Sequence, residues 1–426
     1  ITKNRKYVRL SGVAPNIDIV PFDHCIDSLE RAVKERVFFV KNVPEKTLLD
    51  VDFTTPPKPV DNAFDRLEST YHLLKTFLPS TAPLTHRQFV DGYKGRKRVV
   101  YERALAELSS GDYSIAEDAK VSVFIKHEKT DRTSKRDPVP RVISPRNPRF
   151  NIRLGRYLKP LEERIFKSLG KLFGHRTVMK GMDVRQTARV MREKWDMYRH
   201  PVAIGLDASR FDQHVSKDAL KFEHSVYLDC FKTREHKNKL GNILKHQLEN
   251  DCTGYAEDGS LHYTTEGTRM SGDMNTSLGN CVLMCTMIHA YLKHVGVDGQ
   301  LANNGDDCVV FMEKADLAKF SNGLFDWFWD MGFNMAIEPA VYEFAHIEFC
   351  QCKPIFDGHG WIMCRNPITA LAKDAVLLKS NFNMSRYRLW LKAVGQGGLA
   401  IAGGVPIFQN FYQMCVRNGI SSYARA

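Results

Sequence analysis

The sequence predicts a mixed α/β (α+β) chain, and three observations carry that prediction. Pro201-Val202-Ala203-Ile204-Gly205-Leu206 is a short apolar run that reads as a buried strand. Residues 301–312 place Gly305-Asp306-Asp307 between polar turn formers and a β-favouring run, the pattern of a hairpin tip. Helical periodicity recurs around both, at 61–78, 216–227, 277–293 and 316–329.

The 426 residues suffice for a large core and several subdomains. An apolar fraction of 43% and a charged fraction of 26% belong to globular chains and exclude a disordered or fibrous one. Lys+Arg 61 against Asp+Glu 49 gives +12, and the pI is near 9.1. Such a surface favours polyanions, nucleic acid before anionic membrane. Ten cysteines are scattered without Cys-x-x-Cys pairs, which suits a reducing compartment rather than a disulfide scaffold. His346, Cys350, Cys352, His359 and Cys364 cluster, and packed thiols are preferred to zinc there. The longest apolar helical run, 281–292, is too short to span a bilayer, and no signal peptide is visible. The chain begins at Ile1, so the expectation is an excerpt of a longer protein, with any membrane anchor outside it.

From the start, Lys3, Arg5, Lys6 and Arg9 precede a Pro-rich break at 54–59. Asp61 or Asn62 is expected to cap a helix burying Phe64, Leu67, Tyr71, Leu74 and Leu78. Lys94, Arg96, Lys97 and Arg98 surround Gly95, either as a solvated face or where backbone meets RNA phosphate. Residues 126–160 hold eleven Lys+Arg against three acids, and Pro138, Pro140, Pro145 and Pro148 predict extended, looping backbone. So lopsided a balance reads as a cationic channel wall for triphosphate and RNA, with Arg146 a candidate RNA contact.

The strand at 201–206 delivers Asp207. Strand periodicity would set Asp207 and Asp212 on opposite faces, so the chain must turn between them to serve one site. Ser216 is the expected cap of a helix through Tyr227. Residues 267–276 read as a flexible polar loop feeding the helix at 277–293. Thr276 and Asn280 share a face of that helix and need partners, either a sugar hydroxyl or a neighbouring strand. Further on, 316–329 reads as one amphipathic helix and 344–351 as a strand. Residues 366–426, with seven Lys+Arg against Asp374 alone, read as helical to Gly395 and Gly-rich beyond, a lobe suited to a nucleic-acid duplex.

Glycine permits the tight turn at 305, and the following acids project from a rigid tip. Adjacent carboxylates repel, so crowding them without a cation is costly. Gly-Asp-Asp arises by chance in roughly 7% of chains this long, so it needs company. Asp207 supplies a third acid.

Three segments in order, Asp207-x4-Asp212, Ser271-Gly272-x3-Thr276-x3-Asn280 and Gly305-Asp306-Asp307, resemble the motifs of viral RNA-dependent RNA polymerases. The wording at 205–214, 303–307 and 348–351, with Tyr93-Lys94-Gly95-Arg96 and Pro140-Arg141-Val142-Ile143, resembles the plant-virus family Tombusviridae. The resemblance covers most of 85–370. It implies a right-hand polymerase closed by fingertips, with a palm built on an antiparallel sheet flanked by helices. The N-terminal segment and fingers would be 1–200, with a fingers insertion at 229–264. The palm would be 201–228 and 265–365, and the thumb 366–426. Asp207, Asp306 and Asp307 would be catalytic and hold two Mg²⁺ or Mn²⁺ ions. Asp212, Ser271, Gly272, Thr276 and Asn280 would bind the nucleotide, and Lys126 and Arg141 its triphosphate. Implied partners are RNA template and product duplex, nucleoside triphosphates, and a membrane-anchored viral auxiliary protein or N-terminal extension. The implied location is host cytoplasm, at membrane-associated replication complexes. One departure stands out: the lysine general acid often found after the hairpin has no counterpart around 332–338.

Two rival readings are a reverse transcriptase and a non-catalytic RNA-binding replication factor. Asp212 with Asn280 argues for ribose recognition against the first. Three converging acids argue against the second.

Overall fold

The computed structural model describes residues 4–42, 52–134, 137–379 and 383–421; Lys3, Lys135, Arg136 and Arg425 of the basic segments lie outside them. A four-stranded antiparallel sheet carries the predicted strand and hairpin. Its order is Gly299–Asn304, Asp307–Glu313, Pro201–Ala208, Met335–Ile337. Residues alternate cleanly between its two faces. Val202, Ile204, Leu206, Val310 and Met312 enter the larger core, which the Thr276–Val295 helix fills with Leu278 through Leu292. Ala203, Val309 and Phe311 enter a second core against Met191, Trp195 and Phe349. A one-residue slip would exchange both sets, so the register is fixed from two sides at once.

A second sheet runs Gly259–Glu266, Glu249–Ala256, Val121–Ile125, Val142–Ile143, and its middle pair is parallel. It brings the basic segment alongside a hairpin from the middle of the chain.

The structure corrects five local expectations. Asn62 adopts φ 59 and makes no side-chain cap; a 3-10 turn, Ala63–Leu67, leads into the Glu68–Phe77 helix, with Leu67 and Leu74 buried as expected. Pro148 does not keep the basic segment extended. It occupies the first turn of the Pro148–Leu158 helix, where its missing N–H costs nothing. The helix expected at 316–329 breaks at Gly323, φ 84, into Leu317–Ser321 and Leu324–Asp330. Residues 344–351 form no strand: Phe344–His346 is a 3-10 turn, and Cys350 and Gln351 are both left-handed, at φ 52 and 61. The burial of Phe344, Ile347 and Phe349 alone produced the strand-like pattern.

The fifth concerns the glycines near the C-terminus. Helix Met384–Ala402 runs straight through Gly395 and Gly398 and packs on Pro406–Asn418. A Cβ on Gly395 would lie 2.7 Å from Tyr412 O, and one on Gly398 would overlap the Tyr412 ring. These glycines allow two helices to touch rather than ending one. Among the described residues, no helix is long and apolar enough to cross a membrane.

Candidate active site

The three acids meet where the sheet's central strands end. Asp307 stands directly opposite Asp207 in the antiparallel register, and Asp306 occupies the turn beside them. Gly305 adopts φ +93, and buried Asn303 staples the turn: its Oδ1 accepts from Gly305 N at 3.2 Å and its Nδ2 donates to Gly305 O at 2.6 Å. Burial pushes the Asp306 carboxyl upward, Asp207 adds to the shift, and Lys180 and Arg141 oppose it. Asp307 is also raised, by burial and then by Asp306, although it is exposed and solvent screens part of the effect. A cluster of this sign favours a dication over bare carboxylates. The donor set, two carboxylates on paired strands and a third in the adjoining turn, suits hard oxygen-seeking ions such as Mg²⁺ or Mn²⁺. Among the described residues, no three His, Cys, Asp or Glu side chains already form a metal cage.

The predicted turn after Asp207 is made by Arg210, left-handed at φ 52, which starts the short helix Phe211–His214. It swings Asp212 to Asn280, whose Nδ2 donates to Asp212 Oδ1 at 3.1 Å. Burial raises the Asp212 carboxyl, while the Asn280 hydrogen bond and Arg269 oppose the shift. Asn280 Oδ1 is buried and has no hydrogen-bond partner among the described residues.

The loop before Thr276 is not the flexible segment expected; it is pinned throughout. Ser271 Oγ donates to Val142 O at 3.1 Å, and Thr276 Oγ1 lies 2.8 Å from Met270 O. A Cβ on Gly272 would lie 2.6 Å from Pro145 Cα, so the loop packs backbone to backbone on the basic segment. Two ion pairs lie beneath it. Arg269 pairs with Glu223, and Arg146 Nε donates to Asp273 Oδ1 at 2.6 Å, all four side chains nearly fully buried. Asn275 Nδ2 donates to Glu223 Oε1 at 2.6 Å, and Gln247 bridges Asp273 and Asn275. Sequence reasoning missed this network. Removing one partner of a buried pair strands the other charge, so Glu223→Ala is expected to cost about 3–5 kcal/mol of unfolding free energy in urea titrations. An exposed pair such as Arg98–Asp91 contributes far less, because water and salt screen it.

The expected RNA contacts divide. Arg146 is instead interior: besides Asp273 it donates to Ala119 O at 2.6 Å and His246 O at 3.1 Å, leaving no face for a phosphate. Lys94, Arg96 and Lys97 are exposed at the start of the Gly95–Ser110 helix. Arg98 is held by Asp91 and Glu102. Lys126 and Arg141 converge on one carboxylate, Glu128, at 3.5 Å for Lys126 and by a two-point pair for Arg141. The thiols of the C-terminal cluster are free, and Cys350 Sγ accepts from Asn304 Nδ2 at 3.0 Å. Where a lysine general acid was sought, Glu338 follows the edge strand and its carboxyl covers Gly205, leaving no room for a Cβ there. Glu338 and Lys180 are neighbours of the site that carried no sequence signal.

The chain matches the family described as viral RNA dependent RNA polymerase over residues 1–425. Among curated relatives, the RNA-directed RNA polymerase of Oat chlorotic stunt virus (isolate United Kingdom) is 63% identical over 424 residues, 99% of this chain and 56% of that protein. That of Tobacco necrosis virus (strain A) is 44% identical over 413 residues, 96% of this chain and 55% of the relative. That of Turnip crinkle virus is 39% identical over 416 residues, 98% and 52% respectively. The chain thus spans about half the length of the curated relatives it matches. Its motifs, their order and this agreement along the whole sequence lead to one conclusion: the chain belongs to the viral RNA-dependent RNA polymerases.

Proposed function

We propose that this chain synthesises RNA on an RNA template from nucleoside triphosphates, replicating a positive-strand plant-virus genome. The observation that carries the reading is the register that sets Asp207 against Asp307, with Asp306 in the adjoining turn. In this reading the sheet bearing those acids is the palm (201–228 and 265–365), 1–200 and 229–264 are fingers, and 366–426 is the thumb.

Phosphoryl transfer to a 3′-hydroxyl needs positioning and charge neutralisation more than a covalent nucleophile. Asp207, Asp306 and Asp307 would hold the two divalent ions, which supply activation of the attacking oxygen and charge relief at the leaving pyrophosphate. Asp212 and Asn280 face the ribose, and the unpartnered Asn280 Oδ1 is an acceptor fit for a hydroxyl. Ser271, Gly272 and Thr276 fix the loop that presents them. Lys126 and Arg141 hold the triphosphate, which takes the place of Glu128 between them. Lys94, Arg96 and Lys97 meet RNA. The partners outside the chain are a membrane-anchored auxiliary replication protein or extension, at replication complexes on host membranes.

The test is an assay of the purified protein with an RNA template, Mg²⁺ and labelled nucleoside triphosphates, omitting one nucleotide at a time. Product that stops at the template position calling for the missing nucleotide supports the proposal; template-independent labelling refutes it. Neutralising Lys126 and Arg141 together is expected to raise KM for nucleoside triphosphate, each charge-assisted contact being worth about 1.5–3 kcal/mol. Weakened template affinity with unchanged nucleotide kinetics would move both residues to the RNA path.

A further inference from the structure

Lys180 belongs to none of the motifs singled out in the sequence, yet the fold delivers it to the carboxylate turn. Residues 177–179 run parallel to the outer edge of the Gly299–Asn304 strand: Asn303 N donates to Thr177 O at 2.9 Å, and Met179 N to Asn303 O at 2.8 Å. Arg176 secures this added strand through Val178 O at 2.8 Å and is itself held by Glu163. The next residue, half-buried Lys180, therefore reaches the tip. Its Nζ lies 3.5 Å from Asn304 O, and a Cβ on Gly305 would lie 3.7 Å from it. An ammonium has three donors. This one has only that long contact, and no carboxylate within ion-pair distance, among the described residues. Its charge is nonetheless felt at both Asp306 and Asp307.

We infer that Lys180 is the fixed counter-charge of the hairpin, whose effect is to weaken the aspartates' hold on divalent cations rather than to brace the turn. This rests on the reading of those aspartates as metal ligands. A structural brace and a counter-charge predict opposite signs. Losing a brace loosens the carboxylates and weakens cation binding. Losing a nearby positive charge removes repulsion toward the incoming dication and strengthens it.

The experiment measures Mn²⁺ binding by electron paramagnetic resonance of the free ion, on the purified protein without RNA or nucleotide. Wild type is compared with Lys180→Met, Lys180→Gln, Lys180→Arg and Asp306→Ala, with thermal midpoints recorded for each. Asp306→Ala should lose most of the binding, a check on the ligand reading that does not involve Lys180. Lys180→Met and Lys180→Gln should bind Mn²⁺ about fivefold or more tighter, as removing a unit charge roughly 8 Å from a dication implies even with water-like screening. Lys180→Arg should match wild type. Unchanged or weaker binding in whichever neutral variant keeps the wild-type thermal midpoint overturns the inference. Wild-type binding by Asp306→Ala would instead overturn the ligand assignment.

Discussion

Asp306→Ala is expected to lose nucleotide incorporation by on the order of 10²–10³-fold or more, the scale set by removing one group that stabilises a charged transition state. RNA affinity should survive, because protein–RNA affinity comes mainly from Lys and Arg contacts to phosphate, and the proposed ones lie outside the turn. The fold should survive as well. Asn303, not Asp306, holds Gly305 in its left-handed conformation, and Asp306 itself bears a carboxyl that burial and Asp207 disfavour. Replacing it gives up a hydrogen bond from its own backbone but relieves burial and repulsion, both of which oppose the charged carboxylate. The measurement pairs single-nucleotide incorporation with RNA binding at fixed salt, and unfolding confirms structure. Substantial synthesis by a folded Asp306→Ala protein would remove this residue from the metal assignment.

Asn280→Ala should cut the preference for ribonucleotides over deoxyribonucleotides. A site built to hydrogen-bond a hydroxyl discriminates by as much as about 10⁴–10⁵-fold, because the analogue lacking it leaves buried groups unpaired. The hydrogen bond from Asn280 Nδ2 to Asp212 Oδ1 adds a sharper expectation. Contacting groups couple by about 0.5–3 kcal/mol, so the Asp212→Ala, Asn280→Ala double variant should lose less selectivity than the two singles summed. The ratio of kcat/KM for the two sugars in all four proteins decides it. Additive losses would mean that the two side chains act separately. Unaltered sugar preference in every variant would favour the reverse-transcriptase reading.

The three clustered acids were legible because local pattern determined them. An apolar strand carries Asp207 near its end, a glycine turn ends at Asp306, and the helix spacing that pairs Thr276 with Asn280 is purely local. What escaped depends on residues far apart in sequence. Glu223 and Arg269 are 46 residues apart and meet only when the Lys217–Asp229 helix is packed against the loop. Arg146 looked like channel wall because charge balance ignores direction, and its guanidinium points inward to Asp273. Gly395 and Gly398 looked like chain breakers because propensity carries no knowledge of the neighbouring helix, whose Tyr412 backbone crosses the first and ring the second. Lys180 had no pattern at all: it matters through an edge pairing with Asn303 that no periodicity reports.

The central place of Pro201–Ala208 in its sheet also governs the order in which the site can come into being. Both of its neighbours, Asp307–Glu313 and Met335–Ile337, lie far downstream, and the whole hairpin Glu249–Ala256 with Gly259–Glu266 intervenes. A chain emerging from the ribosome therefore carries this apolar strand with both edges unpaired until residue 313 has been made, and with one edge unpaired until residue 337. The Val184–Trp195 helix, made earlier, can shield one face, but the edges wait for non-local pairing, the slow part of folding. The strand that carries Asp207 is thus exposed to mispairing during synthesis.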